Sequence, residues 1–136
     1  MRYGLILLVV LMGCAVTPPK APAVQERVSG SYQPTGQDRA QLYQRTQAYW
    51  TARAARDWTN AYEFHTYDFR ERMPFPIWRK QQVTLTGPRM VSIHWIKGAH
   101  RQFGPELYAI ITWVDQVGQS GQLTWRQDGG GFFIEN

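Results

Sequence analysis

Residues 35–136 predict a single α+β domain in which helices come first and an antiparallel meander follows. Three observations carry this. An apolar stripe at helical spacing follows a capping signal at Thr35, and the pattern changes to strand alternation beyond Val83. The last strands are joined by short Gly-containing links at 118–121 and 128–131. A segment of roughly 100 residues supports one core and not two.

Thr35 and Asp38 have the spacing of a capping box, with Asp in place of the usual Glu or Gln. A helix is therefore expected from Gly36 to about Arg56. Leu42, Thr46, Tyr49, Trp50 and Arg53 form its inward stripe, opposite Arg39, Gln41, Gln44, Arg45 and Gln47. Asp57 caps a second helix, Trp58 to about His65, with Trp58, Ala61, Tyr62 and His65 on its apolar face. A further turn covers Tyr67 to Arg72. Met73-Pro74-Phe75-Pro76 ends it, and Pro76 suits the first position of a short helix to Gln81, where the missing N–H would have no partner anyway. Strands follow at Arg89–Lys97, Glu106–Val117, Gln122–Gln127 and Phe132–Glu135. The second is apolar on both faces, with Leu107, Ala109, Ile111, Trp113 and Asp115 on one and Tyr108, Ile110, Thr112 and Val114 on the other. That places it centrally and covers it at least partly on both sides.

The chain begins differently. Arg2 precedes the eight-residue apolar run Leu5–Met12, which is too short to span a bilayer as a helix, a task needing about 20 residues. Residues 1–13 read as a targeting segment and are set aside from the fold. Leu11-Met12-Gly13-Cys14 resembles the signal box of bacterial lipoproteins. The resemblance implies a diacylglycerol thioether on Cys14, removal of residues 1–13 and acylation of the new amino terminus. Stable anchoring takes more than one chain at about 0.8 kcal/mol per buried CH₂. Residues 14–34, with four prolines and no apolar periodicity, read as a tether reaching up to about 60 Å in a polyproline-like conformation. Ala15 replaces the Asp that marks inner-membrane retention in such lipoproteins, so the resemblance favours the outer membrane, facing the periplasm. Cys14 is the only cysteine, so the domain folds without a disulfide.

Within the domain, Tyr49-Trp50-x-Ala52, Asp57-Trp58-x-x-Ala61-Tyr62, Tyr67-x-x-Arg70, Phe75-x-x-Trp78 and the closing Gly131-Phe132-Phe133-Ile134 resemble the nuclear transport factor 2-like superfamily of cystatin-like α+β proteins. That likeness implies N-terminal helices packed in a strongly bent, cone-like antiparallel sheet. The short hairpin often found between the second and third helices has no counterpart here. Enzymes of the superfamily use a buried Asp or His inside the cone. The likeness thus implies Tyr62, His65, Tyr67, His94 and Asp115 as catalytic candidates. A His94–Asp115 pair across neighbouring strands would suit proton transfer. Trp50, Trp95 and Trp113 are the candidate ligand walls, because aromatics with a few polar groups make good pockets.

Other chemistries find little support. His65, His94 and His100 lack metal-ligand spacing, and neither a metal nor a cofactor is expected. Gly118-Gln119-Ser120-Gly121-Gln122 has Gln where a nucleophile elbow needs Gly, and it reads as a hairpin turn. The 15 Lys and Arg against 10 Asp and Glu are spread diffusely, so no nucleic-acid partner is expected. The sequence thus points to an envelope lipoprotein that binds a partner protein or a small apolar ligand. The alternative is a small isomerase or dehydratase using a His and an Asp in its pocket.

Overall fold

The computed structural model describes residues 23–97 and 106–136. The signal segment 1–13, Cys14, the start of the tether and His100 lie outside the described residues.

Strand β1 (Gln25–Ser29) comes first, followed by helices α1 (Gly36–Ala54), α2 (Trp58–Glu63), α3 (Tyr67–Arg72) and α4 (Phe75–Gln81). Strands β2 (Arg89–Lys97), β3 (Leu107–Val114), β4 (Ser120–Asp128) and β5 (Gly131–Ile134) complete the domain. The class is α+β. The sheet has five strands in the order β1-β2-β3-β4-β5, antiparallel from β2 onward. Strand β1 pairs parallel with β2, placing Arg27 opposite His94, so the sheet is mixed rather than wholly antiparallel.

That strand corrects the reading of residues 14–34 as tether throughout. Folded structure begins by Gln25, eleven residues after Cys14. A chain of that length spans at most about 40 Å even when fully extended.

Local chemistry explains the helices. The Thr35 hydroxyl accepts from the Asp38 amide at 3.0 Å, and the Asp38 carboxylate accepts from the Thr35 amide at 2.9 Å. The short Asp side chain thus completes the box. Helix α1 stops two residues before the expected Arg56. There the Arg56 amide returns to the Arg53 carbonyl and the Asp57 amide to the Ala52 carbonyl. This is a Schellman ending with Arg56 at φ +57°, the left-handed position usually given to Gly. Asp57 then accepts from the Asn60 amide to start α2. Helix α4 starts one residue earlier than expected, with Pro74 as its cap and Pro76 at its second position.

The helices cover one face of the sheet. Leu42, Tyr49 and Trp50 of α1, Ala61 of α2 and Trp78 of α4 join Ile93, Trp95, Ile111, Trp125, Phe132 and Ile134 in one buried cluster. Trp125 packs edge-on to Tyr49 at 6.3 Å, and Trp95 edge-on to Phe132 at 6.1 Å. The opposite face of the sheet is only half covered at Ser92, His94, Ile110 and Thr112. Strand β3 is central, as its composition predicts. The short β5 is locked to the helical layer, because the Ile134 amide donates to the Phe64 carbonyl and the Thr66 amide to the Ile134 carbonyl, each at 2.8 Å. This parallel bridge closes the sheet against the link between α2 and α3.

Candidate functional site

A cleft of about 380 Å³ opens between the helical layer and strands β3 and β4. Helix α1 contributes Tyr49 and Arg53, and the α2–α3 link contributes His65. Phe69, Met73 and Trp78 form the helical wall, with Trp113 and Leu123 on the sheet side. Gln81, Gln82, Gln122 and Asn136 supply amides. Trp113 reaches this position because its register partner is Gly121. A Cβ at 121 would lie 2.8 Å from the indole Cζ2, so the ring crosses the strand only over a glycine.

His65 is 2% exposed and stacks on Phe69 with centroids 4.5 Å apart. Its Nδ1 lies 3.1 Å from the Tyr62 carbonyl, which makes Nδ1 the protonated nitrogen and leaves Nε2 as an acceptor. Burial lowers its pKa to about 4, aided by the cations Arg53 and Arg70, while the Tyr62 carbonyl contact partly opposes the shift. The ring is therefore neutral at pH 7.

That depression has a measurable consequence. The unfolded chain takes up the proton below about pH 6.5 while the folded chain refuses it until about pH 4. Stability contributed by His65 is therefore whole above pH 6.5 and lost as pH falls through this window, by about 3 kcal/mol in all. Urea denaturation at pH 7 and pH 4 should show this loss, and His65→Phe should lack most of it. Equal acid sensitivity in the two proteins would contradict this environment for His65.

Among the described residues that line the cleft, Arg53 is the only cation. It is 6% exposed, and its Nη2 donates to the Val83 carbonyl at 2.7 Å. Its Nε is buried without a hydrogen-bond partner among the described residues. The guanidinium lies 5.6 Å from the Tyr49 ring centroid. Burial raises the pKa of the Tyr49 phenol, and Arg53 partly offsets that rise.

The other candidates are dispersed. Tyr62 borders His65 at 6.0 Å between rings, but its hydroxyl is committed to the Arg70 and Met73 carbonyls at 3.1 and 2.8 Å. Tyr67 is 66% exposed and donates to Glu71. Trp50 and Trp95 are buried in the core, their indole N–H groups without a partner among the described residues. They line neither the cleft nor the groove described next, so Trp113 alone of the three proposed walls stands at the cleft.

His94 belongs to the other face of the sheet. There a groove of about 360 Å³ is lined by Gln25, Arg27, Ser92, His94, Ile110 and Thr112, among others. The His94 Nε2 is 2.7 Å from the Ser29 hydroxyl. Asp115 lies beyond the end of β3, five residues from Ile110, the register partner of His94. That offset is about 17 Å along a strand.

The Asp115 carboxylate accepts from the Thr86, Val117 and Gln119 amides and from the Gln119 side chain, at 2.8–3.2 Å. Burial works against its ionisation, but these donors prevail and hold its pKa below the usual carboxylate value. Asp115 is thus the staple of the β3–β4 turn. The structure does not bring it together with His94.

Sequence reasoning placed His65 among the site candidates and Arg53 only in a helical stripe. A cation on an otherwise inward-facing stripe was the available signal for Arg53. Among the described residues, no group of three or more His, Cys, Asp or Glu side chains is placed to hold a metal ion. Nor is any described helix long and apolar enough to cross a membrane. Compared with protein-family models, curated proteins and solved structures, the chain matches none.

Proposed function

We propose that this protein is a lipid-anchored envelope lipoprotein, held by Cys14 to the outer membrane, whose domain binds a small ligand with an apolar body. The observation that carries the binding reading is the aromatic- and amide-lined cleft between helices and sheet. Its volume falls within the roughly 300–1,000 Å³ range of small-molecule pockets. The address rests on Leu11-Met12-Gly13-Cys14. A nuclear transport factor 2-like cone is the architecture we favour. A long helix leads into a shorter one after Asp57, both lie on one face of the sheet, and the cleft opens between the layers. An isomerase or dehydratase is the weaker reading. Its proposed His–Asp pair is divided between a groove on the outer face and a turn, and His65 has no carboxylate among the cleft-lining side chains.

The test is native mass spectrometry of the protein purified in detergent from its own membranes. A bound small molecule is expected in addition to the acylated chain. Met73→Trp, which adds bulk to the cleft wall, should lose it. An unmutated protein that carries nothing beyond its acyl chains would count against the binding role.

A further inference from the structure

We infer that Arg53 is an anion-recognising subsite and that the ligand carries a carboxylate at one end of its apolar body. This rests on the reading of the cleft as a binding site. A buried guanidinium brings five N–H donors and a charge that must be neutralised or solvated. Arg126 shows how this fold meets that need, since Asp68, Asp128 and Glu135 all lie within 4 Å of it. Arg45 meets it differently, lying over the Phe64 and Phe133 rings and donating to the Phe132 carbonyl.

Arg53 is more buried than either, and its partners are neutral: the Val83 carbonyl and the phenol of Tyr49. Among the described residues, no carboxylate is ion-paired with it. Among the described residues no Asp or Glu side chain lines the cleft, and its other polar side chains are neutral amides, a phenol and an uncharged imidazole. An entering anion therefore finds one fixed positive charge and no acidic side chain in the walls.

The chemistry favours a carboxylate over a phosphate. A planar guanidinium matches a planar carboxylate in charge and geometry. A phosphate dianion would call for a second cation or a helix N-terminus, and the cleft offers neither. Phe69, Met73, Trp78 and Trp113 then accommodate the apolar body.

The test titrates the full chain with 3-phenylpropionate and, separately, with the isosteric neutral 3-phenylpropionamide, by calorimetry at pH 7.5. The acid is expected to bind at least about tenfold more tightly than the amide, the scale of a charge-assisted contact. In Arg53→Gln the acid-to-amide affinity ratio should fall to about one, and Arg53→Lys should restore part of it. If acid and amide bind the unmutated protein equally, the carboxylate subsite is overturned and the cleft reading survives. If neither binds, both fall. The ratio in the unmutated protein decides the matter even if Arg53→Gln does not fold.

Discussion

Trp125→Ala is expected to cost about 3–5 kcal/mol of folding stability, a large part of the roughly 5–15 kcal/mol available to a domain of this size. Trp125 is fully enclosed, edge-on to Tyr49 of the long helix and paired in register with Ala109 and Ile134. Its removal opens a cavity where the helical layer meets three strands, and no disulfide restrains the domain. Its indole N–H has no partner among the described residues, so truncation forfeits packing rather than a hydrogen bond. The matched control is Tyr67→Ala. That ring is 66% exposed and touches Glu71 through its hydroxyl, so the change should stay within about 0.5 kcal/mol. Urea denaturation of the three proteins checks both values. Near-equal midpoints would contradict the position of Trp125 at the centre of the core.

The second large effect concerns location. Cys14→Ser should convert a membrane-bound protein into one recovered as unprocessed precursor that still carries residues 1–13. On the proposed lipidation, the hydroxyl cannot take the place of the thiolate that would receive diacylglycerol. In the proposed anchor, acyl chains at about 0.8 kcal/mol per buried CH₂ would hold the mature domain to the bilayer. Fractionation, with a mass measurement of the amino-terminal peptide, reads the result. Normal processing and membrane retention of the serine variant would remove the anchor from this account. The early start of β1 adds a geometric consequence to the proposed anchor, for Gln25 lies within about 40 Å of Cys14.

Much of this fold is legible in the sequence because its signals are local. The reciprocal Thr35–Asp38 box, the Tyr67–Arg72 helix and the Arg89–Lys97 strand all stand where capping chemistry and periodicity put them. Strand β1 was not legible. Gln-Glu-Arg-Val-Ser has one apolar residue and no alternation. It is a strand because its backbone pairs with β2 at the sheet edge, a property no side-chain pattern carries. Asp115 misled for a related reason. Alternation assigned it to the apolar face of β3, but β3 ends one residue earlier and the carboxylate turns to the amides of the next loop.

The site was half legible. His65 stood out as a polar residue on an apolar helix face, and burial accounts for both its neutrality and its place in the cleft. Trp50 and Trp95 could not be told from ligand walls, since core filler and pocket lining use the same aromatic residues. Arg53 was visible as a stripe residue, but that no carboxylate among the described residues pairs with it depends on tertiary structure.

The central claim, that the cleft is where this protein binds, is tested most directly through its tryptophans. Trp78 and Trp113 line the cleft, while Trp95 and Trp125 lie in the closed core. In ¹⁵N-indole spectra of the full chain, titrated with the small-molecule fraction extracted from its own membranes, the Trp78 and Trp113 resonances should shift and those of Trp95 and Trp125 should hold still. Unmoved Trp78 and Trp113 signals at saturating extract would contradict the claim.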